Sequence, residues 1–72
     1  MRTVTANFNR RTTDQRIVLG VGVRSIAGAP IAAGQRIRLT DRAMEVEADV
    51  VEAAGILVAV ARWETLDFVD GS

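Results

Sequence analysis

The chain has 72 residues, 49% of them hydrophobic, and a formal net charge of zero made up of nine arginines and nine acidic residues. The charge is uneven: residues 1–42 hold eight arginines against Asp14 and Asp41 (+6), and residues 43–72 hold seven acidic residues against Arg62 (−6). Cys and His are both missing, which excludes disulfides, zinc ligation and haem ligation, and we expect neither a metal nor a cofactor. So short a chain forms a single domain, residues 1–72, and its large aliphatic content favours association with another protein.

The first two predicted strands show alternating apolar and polar residues, the pattern of a half-buried strand. The inward face of the first, residues 2–10, carries three apolar side chains: Val4, Ala6 and Phe8. The inward face of the second, residues 16–24, carries four: Ile17, Leu19, Val21 and Val23. Gly20 and Gly22 weaken the opposite face of this strand and predict a sharp bend in the sheet.

Residues 25–34 form the one extended loop, with Gly28 and Pro30 as its turn residues. The loop also contains Ile26 and Ile31. Two apolar side chains in a loop indicate either that it folds back over the end of a barrel or that it is offered to a partner. Loops on a rigid scaffold often carry recognition, so the second reading makes this loop a candidate binding element.

Residues 35–63 read as three antiparallel strands joined by two tight turns, at 41–44 and at Ala54 and Gly55. One register satisfies both the apolar and the charge pattern. It predicts these opposing pairs: Arg36 and Asp49, Arg38 and Glu47, Leu39 and Val46, Glu47 and Arg62, Val46 and Trp63. Adjacent apolar residues at Val50 and Val51 predict a bulge near that point. The outward charges therefore form a lattice that fixes the register.

Residues 56–61 are apolar on both faces, which implies that both faces are covered. In one small sheet that cover can come only from a loop, a terminus or another chain. We therefore predict a partner interface made of five aliphatic residues: Ile56, Val58, Val60, Ile26 and Ile31.

The order of these elements resembles that of the SH3-like small barrels. Two strands and a long loop come first, then the three-stranded meander of residues 35–63, a 3-10 turn at 64–67 and a short last strand beginning at Phe68. The resemblance implies an all-β fold: a small five-stranded, strongly bent antiparallel barrel with one short 3-10 turn before the last strand. It implies no function, because the aromatic row with which SH3 domains of signalling proteins grip proline-rich peptides is missing here.

Catalysis is not expected. Without His, Cys, Lys or Tyr, only carboxylates and hydroxyls remain, and neither Ser25 nor Ser72 has a base to activate it. No signal peptide is visible and the longest apolar run, residues 55–61, is too short to cross a bilayer, so we expect a soluble cytoplasmic protein. The expected function is a non-enzymatic protein–protein interaction or assembly module. It would self-associate or form a small subunit of a larger particle, such as a phage or bacterial assembly.

The alternative function is nucleic-acid binding through the N-terminal arginines. Five of them would contact the phosphates, near Phe8: Arg2, Arg10, Arg11, Arg16 and Arg24. A net charge of zero argues against this reading, since nucleic-acid-binding domains of this size are commonly basic. Such binding would weaken steeply as salt rises.

Overall fold

The structure, a computed structural model, describes residues 1–68. Over these residues the chain is nearly all β, with five strands in one curled half-barrel sheet and one 3-10 turn. The elements are β1 (Arg2–Thr5), the 3-10 turn (Phe8–Arg10), β2 (Arg16–Gly20), β3 (Arg36–Asp41), β4 (Met44–Ala53) and β5 (Ile56–Phe68). The strand order across the sheet is β1-β3-β4-β5-β2. The predicted all-β class with five strands in a strongly bent sheet is therefore confirmed.

The pairing of β1 with β3 is parallel, so the sheet is not wholly antiparallel as predicted. The other three pairings, β3 with β4, β4 with β5 and β5 with β2, are antiparallel. The parallel pair arises because β2 and the 25–34 loop separate β1 from β3 along the chain, which gives room for a crossover. The loop folds back against the outer edge of β1, where the Ile26 amide donates to the Thr3 carbonyl at 2.8 Å.

The register of the meander is as predicted from the charges. Arg36 lies opposite Asp49 and Arg38 opposite Glu47 in the β3–β4 hairpin. Glu47 in turn lies opposite Arg62 in the β4–β5 hairpin. Both turns are tight, so each hairpin has little freedom to slip, and the alternating charges fall consistently on one face.

The bulge lies elsewhere than predicted. Pairing continues without a break past Val50 and Val51, and the register shifts between Glu45 and Glu47 instead. Because Glu47 pairs with Arg62 and Glu45 with Asp67, residues 63–66 all stand against the single residue Val46. The predicted pairing of Val46 with Trp63 is therefore wrong.

Residues 64–67 are extended strand and not the predicted 3-10 turn. Trp63 and Leu66, three residues apart, both pack against the core, which a strand of period two cannot achieve without extra residues. The Thr65 hydroxyl accepts from the Glu47 amide at 2.9 Å and donates to the Arg62 carbonyl at 2.7 Å. This side chain takes over the ladder bonds that the bulge removes. Phe68 ends β5 and begins no separate strand, and Val69 lies outside the described residues.

The first strand is shorter than predicted, because the chain turns into the 3-10 turn Phe8–Arg10. Asn7 caps this turn, its side-chain oxygen accepting from the Asn9 amide at 2.9 Å. The Phe8 amide donates to the Asp41 carboxylate at 2.9 Å, which ties the turn to the end of β3. Phe8 itself is buried in the core, as predicted.

The second strand is also shorter, and it ends at Gly20. The backbone turns sharply there, with φ angles of 105° at Gly20 and 67° at Gly22, so the predicted bend is present. Beyond the bend the alternation no longer applies: Val21 is 80% exposed, whereas Val23 packs against the core.

The core is a single cluster on the inner face of the curled sheet. It contains Val4, Phe8, Ile17, Ile31, Ile37, Leu39, Val46, Ala48, Val50 and Ala59. Every strand contributes to it, and Ile31 of the 25–34 loop completes it. The outer face is consequently left to the charged lattice and to a group of apolar residues described next.

Candidate interaction surfaces

Five β-branched aliphatic residues form a continuous patch on the outer face of β4, β5 and β2, here called the outer-face patch. Its members are Val18, Val51, Ile56, Val58 and Val60. The middle row crosses three strands, since Val58 pairs with Val51 on one side and with Val18 on the other. None of the five belongs to the core cluster or packs against it.

Alternation along β5 explains why the patch faces outward. Leu57, Ala59 and Ala61 point to the core, so the residues between them point the other way. Val58, at the centre, is 7% exposed, and the four others are partly buried. Over residues 1–68 each strand packs mainly on its neighbours in the sheet and the 3-10 turn packs on β2, so no second layer of strands or helices covers the outer face.

The other two residues predicted for the interface lie apart from the patch. Ile31 is a core residue, 7% exposed, because the loop folds back and inserts this side chain under the sheet. Its assignment to a partner interface was wrong. Ile26 is 67% exposed and lies against β1, at the far edge of the sheet from β2. The loop thus does both things that the sequence left open: one isoleucine folds back and the other is exposed.

A charged cluster borders the outer-face patch. Asp49 lies between two arginines: its Oδ1 is 3.0 Å from Arg36 Nε and its Oδ2 is 3.1 Å from Arg62 Nε. The hydrogen bond from Arg36, with that from Arg62, holds the pKa of the Asp49 carboxyl below its ordinary value. Asp49 also lies beside Val60 in the β4–β5 ladder, so the cluster touches the patch directly. Arg62 lies opposite Glu47 in register, but its guanidinium reaches diagonally to Asp49.

A second ion pair lies at the start of β2. Arg16 Nε is 3.1 Å from Asp14 Oδ2, and Arg16 is paired with Val60 across the β2–β5 ladder. The Thr12 hydroxyl also bonds to the Asp14 carboxylate, and this bond is the main reason that the pKa of Asp14 lies below its ordinary value. The polar border of the patch therefore carries both signs of charge on two sides.

The five arginines predicted to contact nucleic acid fall into three groups. Arg10, Arg11 and Arg16 follow the end of β1, whereas Arg2 lies at its start. Arg24 belongs with the loop, where its guanidinium donates to the Gly28 carbonyl at 2.9 Å. The structure does not bring the five arginines to one end.

Around Trp63 the first of these groups meets the aromatic residues. The Arg11 guanidinium lies over the Trp63 ring at 5.5 Å, and Phe8 meets the same ring edge-on with centroids 6.1 Å apart. The Trp63 indole N–H donates to the Gln15 carbonyl at 3.0 Å. These contacts hold the turn before β2 against β5. The register predicted within residues 35–63 could not indicate them, because the partners of Trp63 lie outside that range.

A groove of about 870 Å³ lies between the start of β1 and the 25–34 loop, here called the N-terminal groove. Its lining consists of Met1, Arg2, Thr3, Ser25, Ile26, Ala27, Ala29, Gln35 and Arg36. The lining contains two arginines and no carboxylate. Sequence reasoning pointed to Ile26 and Arg2 separately but did not predict that they would share a site, because the parallel β1–β3 pairing was not foreseen.

No set of three or more Asp or Glu side chains in residues 1–68 is placed to hold a metal ion. Within the same residues no helix has the length and apolar character needed to span a bilayer. No protein-family model, curated protein or solved structure matches this chain. The resemblance to SH3-like barrels therefore has no support from a structural neighbour, and in residues 1–68 the 3-10 turn lies between β1 and β2 instead of before a separate last strand.

Proposed function

We propose that this chain is a non-enzymatic assembly module that docks through its outer-face patch onto a second copy of itself. The single observation that carries the proposal is the patch: five β-branched side chains together on a sheet face that no element of the described chain covers. Aliphatic side chains there gain nothing from the chain's own core, and covering them with another surface removes apolar area from water at about 25 cal/mol per Å².

The shape of the patch favours a second sheet as its occupant. β-Branched side chains on a pleated face pack well against another sheet at about 10 Å, in the way that the two layers of a β-sandwich do. Two outer faces brought together in this way would give each chain the second layer that it lacks. The contact would be isologous, with the same patch on both sides of a twofold axis.

The charged border supports a second copy over an unrelated surface. Arg36, Asp49 and Arg62 lie along one side of the patch, and Arg16 and Asp14 lie along another. A border with both signs of charge is able to complement itself when the copy is rotated, and such pairing sets orientation more than affinity. In a larger particle, such as a phage or bacterial assembly, a different subunit would take the place of the second copy.

Light scattering after gel filtration, at low and at high salt, tests this proposal. The test variant combines Val51→Thr, Ile56→Thr and Val60→Thr, which keep β-branching while making the partly exposed patch polar. Val21→Thr is the matched control, because Val21 is exposed and lies outside the patch. Hydrophobic contacts resist screening, so the expected result is a dimer that persists at high salt in the wild type and in the control.

The triple variant should be monomeric at high salt. A wild-type chain that stays monomeric at high concentration would reject self-association and leave only a different subunit as partner. An oligomer that survives in the triple variant at high salt would reject the patch as the interface.

A further inference from the structure

The N-terminal groove has a distinct chemistry from the outer-face patch. Met1 and Ile26 in its lining are each 67% exposed, and two alanines of the loop extend this apolar wall. Arg2 adds positive charge, Arg36 adds a guanidinium whose Nε is already paired with Asp49, and no acidic residue lines the groove. Its volume, about 870 Å³, is within the range of roughly 300–1,000 Å³ typical of pockets that enclose a ligand. The groove therefore suits a ligand that is both apolar and acidic.

The C-terminal part of β5 offers a segment of that kind. Phe68 is 66% exposed, and the two acids near it, Glu64 and Asp67, are exposed as well. β2 pairs with β5 only over Leu57–Val60, so in the described chain residues 64–68 have a strand, β4, on one side only. No strand of residues 1–68 pairs with the other edge of this segment, and such an edge can pair with another chain.

The two surfaces cannot meet within one chain. The groove includes Arg36 at the start of β3, whereas Phe68 lies in register with Met44, which pairs with Asp41 at the end of β3. Five residue steps along a strand separate Arg36 from Asp41, a distance of roughly 17 Å at about 3.3 Å per residue. Contact between them requires two molecules.

We propose that the N-terminal groove of one copy binds the Phe68 end of β5 from a second copy. Phe68 fills the apolar part of the groove, and Glu64 and Asp67 lie toward Arg2 and Arg36. The contact is heterologous, since different surfaces meet, so it builds rings or open chains and not closed dimers. It joins arginines of the basic first part of the sequence to acids of the acidic last part, and it does not depend on the outer-face patch.

Two variants that block opposite sides of the contact give the test. Ile26→Asp places a charge in the groove wall and Phe68→Asp removes the aromatic side chain; both positions are exposed, so both variants should fold. Each is made in the background carrying threonine at the three patch positions, so that the patch contact is removed. Val21→Asp in that background is the control, because its side chain is exposed and outside the groove.

At low salt the background chain should form species that grow with concentration, and high salt should weaken them because the charges are screened. Either blocked variant should bind roughly 30-fold or more weakly, the usual consequence of losing an aromatic anchor. An equimolar mixture of the two should give a pair that does not grow further, since only one of its two contacts is intact. A monomeric background chain, unchanged association in either blocked variant, or no pair in the mixture would each overturn the proposal.

Disulfide trapping gives an independent measurement, because the natural chain has no cysteine. Ile26→Cys and Phe68→Cys chains, mixed and mildly oxidised, should form a mixed dimer much faster than either forms a dimer with itself. Equal rates for the mixed and the self-paired dimers would also overturn the contact. If no mixed dimer is favoured but the wild-type chain still forms a salt-resistant dimer, the groove contact is rejected and docking through the outer-face patch stands.

Discussion

Two valines on β4 provide the sharpest comparison between the faces of the sheet. Val46 is a core residue, 1% exposed, whereas Val51 belongs to the outer-face patch and is partly exposed. Threonine has nearly the shape and strand preference of valine, so Val46→Thr and Val51→Thr differ mainly in where the new hydroxyl lies. Comparing the two variants therefore shows whether each face of the sheet is covered within one chain.

At Val46 the hydroxyl would be buried among apolar side chains, at a cost of about 1–3 kcal/mol in the free energy of unfolding. At roughly 0.05–0.15 kcal/mol per residue, a chain of this size has about 4–11 kcal/mol of stability, so the variant should stay folded. At Val51 the hydroxyl reaches water in the isolated chain, and the change should be within about 0.5 kcal/mol.

Urea unfolding at low protein concentration, where the chain is monomeric, measures both values, and an unchanged m-value confirms that the two states are comparable. Light scattering at high concentration and high salt then reports association, which Val51→Thr should weaken and Val46→Thr should leave intact. If Val51→Thr destabilises the monomer as much as Val46→Thr does, the outer face is covered within one chain and the docking argument fails.

Three further predictions concern the elements that hold these surfaces in place. In the second turn φ is 53° at Ala54 and 81° at Gly55. Gly55→Ala should cost about 1–2 kcal/mol in the free energy of unfolding and Ala54→Asn should raise the melting temperature, both measured by thermal unfolding. A stabilising Gly55→Ala or a destabilising Ala54→Asn would contradict the turn geometry. The hydrogen bond from Arg36, with that from Arg62, lowers the native pKa of Asp49 below its ordinary value of 3.8, so the stability that Asp49 gives is present above that pH and is lost as pH falls through the native pKa. Asp49→Asn should therefore flatten the acid-unfolding curve followed by circular dichroism, and an unchanged curve would show that the cluster contributes nothing. Trp63→Phe removes the hydrogen bond to the Gln15 carbonyl and should cost about 0.5–1.5 kcal/mol in urea unfolding, whereas a neutral effect would mean that water replaces the bond.

The hairpin register was predictable because its determinants are local. Two tight turns and alternating charges at Arg36, Arg38, Glu47 and Asp49 leave one arrangement that keeps the apolar residues inside. The same local reasoning identified Ile56, Val58 and Val60 as outward-facing. In a strand with apolar residues on both faces, one alternating set fills the core and the other set faces outward.

The bulge and the parallel strand were not predictable from local pattern. Trp63 and Leu66 are spaced by three, which fits a helical turn as well as a bulged strand, and only their packing on the core decides between the two. The β1–β3 pairing joins segments more than thirty positions apart, for which no turn sets the register. The N-terminal groove depends on that pairing, so it too could be found only in three dimensions.

A single cysteine placed in the outer-face patch shows whether a second copy covers that surface. Val60→Cys introduces the only thiol in the chain, and its reaction rate with a small thiol reagent is measured at high salt over a range of protein concentrations. Val21→Cys, outside the patch, reports the rate of a thiol that no contact covers. If two copies dock through the patch, the thiol at position 60 becomes protected as concentration rises while the one at position 21 does not. Equal reactivity of the position 60 thiol at every concentration would contradict docking through the patch.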